Sequence, residues 1–362
     1  MGHRTERGRG AQVPLQRLAA AGLGSALTFS FEDAVVIDGL DTSRWGVRSV
    51  YERLRGSGVT AINATIAVWD DYAQTLENIK RWYGWLEAND DLLLQVSTAD
   101  DIRRAKRVGR TGIIFGWQNA APIGGDIDRL RLFHRLGVRV IQLTYNERNF
   151  VGNGCYERLD EGLSRFGLSV VAEMNRLGIL IDLSHCGDRT TLEAIAASKF
   201  PVAITHANAR SQFDHPRNKT DEAIRLLAER GGVIGANAFP MFFPDGFDST
   251  VDVYLDAIDG LVERAGPEHV AIGTDFCMEQ SREWFEWIFA SQGSVPAETV
   301  AHTPHPYRHL RGFEDPSKFA HLADLLGRRG YDERVIAGIL GENWLRLFET
   351  VWRASAESGS VE

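Results

Sequence analysis

A chain of 362 residues with 44% hydrophobic and 25% charged positions can bury a large core, which excludes a disordered polymer. A formal net charge of -9 and a pI near 5.6 argue against a nucleic-acid-binding surface. Three scattered cysteines, Cys155, Cys186 and Cys277, make no disulfide framework, and no apolar run reaches the ~20 residues that span a bilayer.

The expectation is a cytoplasmic protein in a reducing compartment. Residues 1–30 carry basic residues before a weakly apolar, glycine-interrupted stretch, Leu18–Leu27, with no clear cleavage site. They read as a flexible extension. Residues 31–354 read as one domain and 355–362 as a tail.

From residue 34 short β-branched apolar runs alternate with longer segments of helical spacing. The expected strands are Ala34–Leu40, Thr60–Ile66, Thr111–Gln118, Arg139–Asn146, Ile179–His185, Pro201–Ala207, Gly232–Phe239 and Val270–Phe276. The helices between them are Ser43–Arg55, Tyr72–Ala88, Asp126–Leu136, Leu168–Leu177, Thr191–Ser198, Thr220–Arg230 and Val251–Ala265. The segment "DLLLQVSTADDIRRAKRVGR" fits one more short strand and helix. Eight such units over about 250 residues have the count and size of a (β/α)8 TIM-type barrel. A doubly wound open sheet ranks second, because no glycine-rich phosphate turn follows the first strand. Cys277–Asp315, with "HTPHPYRH", is expected to form an irregular cap. Its His302, His305 and His309 lack helical spacing and acidic neighbours, which favours a cap loop over a metal tract. Helices Lys318–Arg328 and Glu333–Trp352 end the fold.

Two adjacent strands each stop on a histidine: "GILIDLSH" ends at His185 and "PVAITH" at His206. Parallel neighbours lie about 4.8 Å apart, so imidazoles at adjacent C-terminal ends can converge on one ion. The last strand, "VAIGTDF", brings Asp275 to the same face. Two imidazoles and a carboxylate form a zinc shell with room for water. A lone strand-end histidine is more often a hydrogen-bonded core residue, but two on consecutive strands with an aspartate favour a metal or catalytic role.

The strings "GLSRFGLSVVAEMNRLGILIDLSH", "SKFPVAITHANAR", "HPRNKTDEAIRLLAERGGVIG", "AIGTDF" and "GENWLRLF" together resemble the renal (membrane) dipeptidase family of the amidohydrolase superfamily. The resemblance runs from about residue 34 to 350. It implies a (β/α)8 barrel with two carboxylate-bridged zinc ions that cleaves dipeptides and tolerates a D-residue or dehydro residue at the C-terminal position. It also implies a homodimer. By this resemblance His185 and His206 match two ligands of one metal, and Asp275 matches the aspartate that holds the attacking water. Arg217, in "HPRN", matches the arginine that grips the substrate carboxylate, a task suited to a planar fork of paired donors.

The departures lie on one side of the implied site. The family's first strand ends Asp-Gly-His-x-Asp, whereas this chain reads "VVIDGLDTSRW", placing Leu40 and Thr42 at the ligand positions. Gln118 stands for the bridging glutamate, and Tyr145 for a substrate-contacting histidine. Tyr145, Asn146 and Asn149 form a polar cluster past the fourth strand, where a binding loop belongs. The reading is a metallohydrolase for a dipeptide or another small carboxylate-bearing amide. It has Asp275 as catalytic base, Arg217, Tyr145 and Asn146 on the substrate, and one Zn2+ on His185, His206, Asp275 and Gln118. A metal-free acid–base enzyme and a non-catalytic ligand-binding barrel stay open beside it.

Overall fold

The structure, a computed structural model, describes residues 29–290, 303–304 and 306–352. Residues 1–28, the expected tail, His302 and His305 lie outside the described residues. Among the described residues there are nine strands, all parallel: β1 Ile37–Asp41, β2 Ala61–Ala67, β3 Leu93–Val96, β4 Thr111–Trp117, β5 Val138–Gln142, β6 Leu180–Asp182, β7 Ala203–Ile204, β8 Val233–Asn237 and β9 Val270–Gly273. Eight run in chain order from β1 to β9, and β3 pairs with β4 off this path. β3 and β5 divide one edge of β4: β3 takes Thr111–Ile114, and β5 takes Phe115–Trp117.

The ends of the order meet. Asp41 pairs with Phe276, Thr42 N donates to Phe276 O at 2.8 Å, and Asp275 N donates to Leu40 O at 3.0 Å. This seam closes a TIM-type barrel and rules out the doubly wound sheet. The expected extra strand and helix are β3 and α3 (Ala99–Val108).

The helices form the outer layer because each presents one apolar stripe to the strands. In α2 (Tyr72–Ala88) Asp71 caps the N-terminus through a capping box with Gln74, and Thr75, Ile79 and Trp82 bury one face at helical spacing. At the barrel's N-terminal end, Val140, Leu180, Val233 and Ala271 pack with Trp344, Phe348 and Val351 of the last helix, Asn343–Trp352. Trp344 Nε1 donates to Ile272 O at 2.9 Å, so the plug is hydrogen-bonded as well as apolar.

The expected strands Arg139–Asn146, Ile179–His185 and Pro201–Ala207 are shorter in the structure, the helix expected over Ser43–Arg55 spans Arg48–Gly56, and two further elements differ in kind. Glu333–Trp352 is not one α-helix. A wider turn over Gly338–Glu342 separates Glu333–Ala337 from Asn343–Trp352. The cause is a set of contacts remote in sequence: Asn343 Nδ2 donates to Pro267 O and Val270 O, and Gly341 packs on the Val35 carbonyl with no space for a Cβ. The cap is also less irregular than expected, since Arg282–Ala290 is a helix, α9.

Candidate functional site

The C-terminal strand ends are ordered by two matching devices. Asp182, at the end of β6, accepts from Ser184 N at 3.0 Å, Ser184 Oγ at 2.6 Å and Thr205 N at 2.9 Å through Oδ1, and from Thr205 Oγ1 at 2.7 Å through Oδ2. Asp38, in β1, accepts from Leu40 N at 3.2 Å and Thr274 N at 2.8 Å, and its other oxygen takes the Thr274 hydroxyl. Each buried carboxylate thus grips a threonine that immediately precedes a candidate site residue, His206 or Asp275. Burial raises both carboxyl pKa values, and their bonded donors pull them back. Neither aspartate was expected from the sequence as a positioning group. The signal was available in the paired strings "IDLSH" with "ITH" and "IDGLD" with "GTDF".

His185 and His206 do meet. Their Nε2 atoms lie 3.0 Å apart, with ring centroids at 5.0 Å. His185 Nδ1 donates to Asn146 Oδ1 at 2.7 Å. His206 Nδ1 is 2.8 Å from Thr205 Oγ1, whose proton is committed to Asp182, so this imidazole also donates from Nδ1. Both rings therefore turn an Nε2 lone pair toward the other. Burial, then the Arg217 guanidinium, holds both histidines well below the ordinary range and so keeps them neutral. Two lone pairs at this distance repel unless a cation lies between them. Nitrogens bound to one tetrahedral zinc sit about 3.3 Å apart, so the pair suits a single ion.

A larger ligand set is not assembled. Among the described residues no three of His, Cys, Asp and Glu converge to hold an ion. Leu40 and Thr42 sit at the end of β1, and the Thr42 hydroxyl is engaged with Phe276 O at 3.0 Å. Gln118 Nε2 donates to Thr65 Oγ1 at 3.0 Å, and its backbone carbonyl accepts from Gln142 Nε2. The two imidazoles supply two of the three protein ligands that a catalytic zinc takes. The residues do not fit a two-metal centre.

Asp275 is nearly buried and adopts a left-handed backbone at φ 58, as does Asn146 at φ 60. Aspartate and asparagine are the non-glycine residues that enter this region most readily, so the strain is tolerable where geometry requires it. Burial raises the Asp275 carboxyl to about 6, against the Arg217 charge and a hydrogen bond from Asn237. Its neighbour Asp41 is pushed up to about 7 by burial, with one oxygen bonded to Ser43 N at 2.7 Å and the other unpartnered among the described residues.

Arg217 is not the open fork the sequence led us to expect. It is 1% exposed. Nη1 donates to Ser184 O and Nη2 to His206 O at 3.2 Å, while the guanidinium carbon lies 5.2 Å over the Phe242 ring. Nε has no partner among the described residues, so its N–H and the second Nη hydrogens are what remains for a ligand. Tyr145 stacks on His185 with centroids at 4.0 Å and is braced edge-on by Trp69. Asn149 is structural, donating to Asn119 Oδ1 at 2.9 Å and Leu143 O at 2.7 Å. Gly154 must be glycine, since a Cβ there would overlap the Asn146 carbonyl. His309 packs on Phe276 and accepts from Cys277 N at 3.3 Å, a cap contact.

A family model described as membrane dipeptidase, peptidase family M19, matches residues 26–286 and 306–361. Among curated proteins, dipeptidase verJ of Clonostachys rogersoniana is 30% identical over 80% of this chain and 68% of its own length. Dipeptidase tcpJ of Claviceps purpurea is 28% identical over 74% of this chain and 57% of its own. The chain thus spans only about 57–68% of these two relatives. A solved amidohydrolase from Pseudomonas aeruginosa superposes with a TM-score of 0.85 at 40% identity, covering 89% of this chain and 98% of that one.

Proposed function

The chain belongs to the membrane dipeptidase family of hydrolases, and from that premise we propose that it hydrolyses a dipeptide or another small amide bearing a free carboxylate, with one divalent metal held by His185 and His206. The observation that carries this reading is the facing pair of Nε2 lone pairs at 3.0 Å, each fixed by a partner on Nδ1.

When bound, a divalent zinc supplies a water of lowered pKa and polarises the scissile carbonyl. Asn146 and Thr205 set the tautomers that present both lone pairs. Gln118 contributes a neutral amide oxygen at most. Asp275 serves as the base. A carboxyl near 6 is ionised at neutral pH yet basic enough to take a proton, and Arg217 and Asn237 stabilise its ionised form. Arg217 turns its spare N–H groups to the substrate carboxylate and fixes the two loops that carry the histidines. Tyr145 walls the site beside His185. Arg217 and Lys219 disfavour any cation here, so the ion is held less tightly than by a full carboxylate set.

The test is metal content after chelator-free purification, together with dipeptide turnover. One equivalent that both His185→Ala and His206→Ala abolish supports the reading. Metal content unchanged in both variants overturns it. Because no three-ligand set converges among the described residues, a metal-free reading follows next, with Asp275 and Tyr145 doing acid–base work. Turnover that persists in the stripped protein would select it.

A further inference from the structure

A second concavity lies outside the histidine site. The loop after β1, the end of β2, α2 and α9 enclose a cleft of about 350 Å³. That volume lies in the range of small-molecule sites, roughly 300–1,000 Å³. None of His185, His206, Asp275, Arg217, Tyr145 and Gln118 lines it.

Its chemistry is distinctive. Five of the chain's nine tryptophans line it: Trp45, Trp82, Trp85, Trp284 and Trp287. Trp82 anchors the wall, with Trp45 at 5.2 Å and Trp85 edge-on at 5.3 Å, while Trp287 stays 39% exposed. Such a surface takes a flat aromatic body by stacking and edge contact. Two exposed guanidiniums, Arg44 and Arg81, also line the cleft, and neither has an ion pair or side-chain hydrogen bond among the described residues. Two further polar groups of the lining are engaged with the protein itself. Asp70, the only carboxylate in the lining among the described residues, accepts from Val68 N at 3.1 Å and from Asn78 Nδ2 at 2.9 Å. Gln280 Nε2 donates to Thr42 O at 2.6 Å. The cleft thus offers a ligand indole surfaces and two guanidiniums that have no ion pair among the described residues.

We infer that this cleft binds a small aromatic carboxylate, its ring among the tryptophans and its anion on Arg44 and Arg81. A guanidinium meets a carboxylate through parallel charge-assisted bonds, and two of them select an anion over a neutral ring of the same shape.

The test uses the full chain and binding alone, so it is independent of the hydrolase reading. Indole-3-acetate and its neutral amide, indole-3-acetamide, are titrated by ligand-observed NMR and calorimetry. The carboxylate is expected to saturate one site, and the amide to bind at least about tenfold more weakly. Arg44→Ala/Arg81→Ala should cost the carboxylate a similar factor and leave the amide unchanged, with circular dichroism reporting an intact fold. Trp287→Ala should weaken both ligands. The inference is overturned if indole-3-acetate does not saturate at millimolar concentration or the amide binds equally well. It is also overturned if the double arginine variant binds normally. Loss of binding in His206→Ala with retention in the arginine variant would place the ligand at the histidine site, and would overturn it equally.

Discussion

Asp182 holds Thr205 by two bonds at once, taking its backbone N–H at 2.9 Å and its hydroxyl at 2.7 Å. Because the threonine proton is spent on Asp182, Thr205 can only accept from His206, and the imidazole tautomer follows from a carboxylate that never touches the ring. Thr205 N also leaves the sheet ladder for this side chain, which is why β7 is only Ala203–Ile204.

Removing Asp182 should therefore cost both stability and site geometry. Asp182→Ala strands the Ser184 and Thr205 donors in a buried setting, and a loss of about 3 kcal/mol or more is expected in urea denaturation. Asp182→Asn keeps the shape and should lose less stability, yet still weaken metal retention, because an amide oxygen accepts from Thr205 less strongly. Equal metal retention in all three proteins would disconnect Asp182 from His206.

The histidine pair predicts stoichiometry and coupling. No more than one divalent equivalent should survive dialysis, since Leu40 and Thr42 offer no replacement for two ligands. The double variant His185→Ala/His206→Ala should bind little less metal than either single variant, because the two act as a unit. Two retained equivalents would refute this.

Gly154→Ala tests Asn146 without altering it. The new methyl must push the Asn146 carbonyl aside, so the bond to His185 Nδ1 should lengthen. A loss of about 1–3 kcal/mol is expected from the overpacked turn, with weaker metal retention in parallel. Unchanged metal affinity would show that His185 needs no anchor on Asn146.

Asp41 and Asp275 carry a pH prediction. Their folded pKa values, about 7 and about 6, lie above the unfolded value of about 3.9. Between roughly pH 4 and 7 these two carboxyls hold more protons in the native than in the unfolded state, so their contribution to stability falls as pH rises through that window, opposite in sign to that of the neutral histidines His185 and His206. Asp41→Asn should flatten much of the slope in thermal unfolding. For turnover the sign is opposite, because the base must be ionised: kcat/KM should fall below about pH 6. Asn237→Ala, which removes a donor to Asp275, should move that acid limb upward.

Arg217→Lys separates support from recognition. Loss of the links to Ser184 O and His206 O should lower stability. Recognition through the remaining donors predicts, in addition, a raised KM for a free-carboxylate substrate and none for its amidated form. If stability alone changes, the guanidinium is only a brace.

The barrel was legible because buried parallel strands are near-continuous β-branched runs, and eight of them alternate with helices. The two histidines were legible because both end such runs. What escaped depended on contacts distant in sequence. Nothing in "HPRN" says that the carbonyls of Ser184 and His206 would occupy Arg217. The unbroken apolar spacing of Glu333–Trp352 hid the turn that Asn343 forces by bonding to the chain near β9. Asp38 and Asp182 read as ordinary strand residues until each was seen beside its threonine.

The seam between β1 and β9 has a kinetic meaning. Asp38 grips Thr274 across 236 positions, and Asp275 N bonds to Leu40 O in the same stitch. Contacts that remote are slow to form, because an ordering cost precedes any gain from closing so long a loop. The β6–β7 unit with its two histidines spans far fewer residues and can assemble while the barrel is still open. Asp275, the proposed base, is thus delivered by the last stitch, and recovery of activity after dilution from denaturant should lag behind recovery of secondary structure.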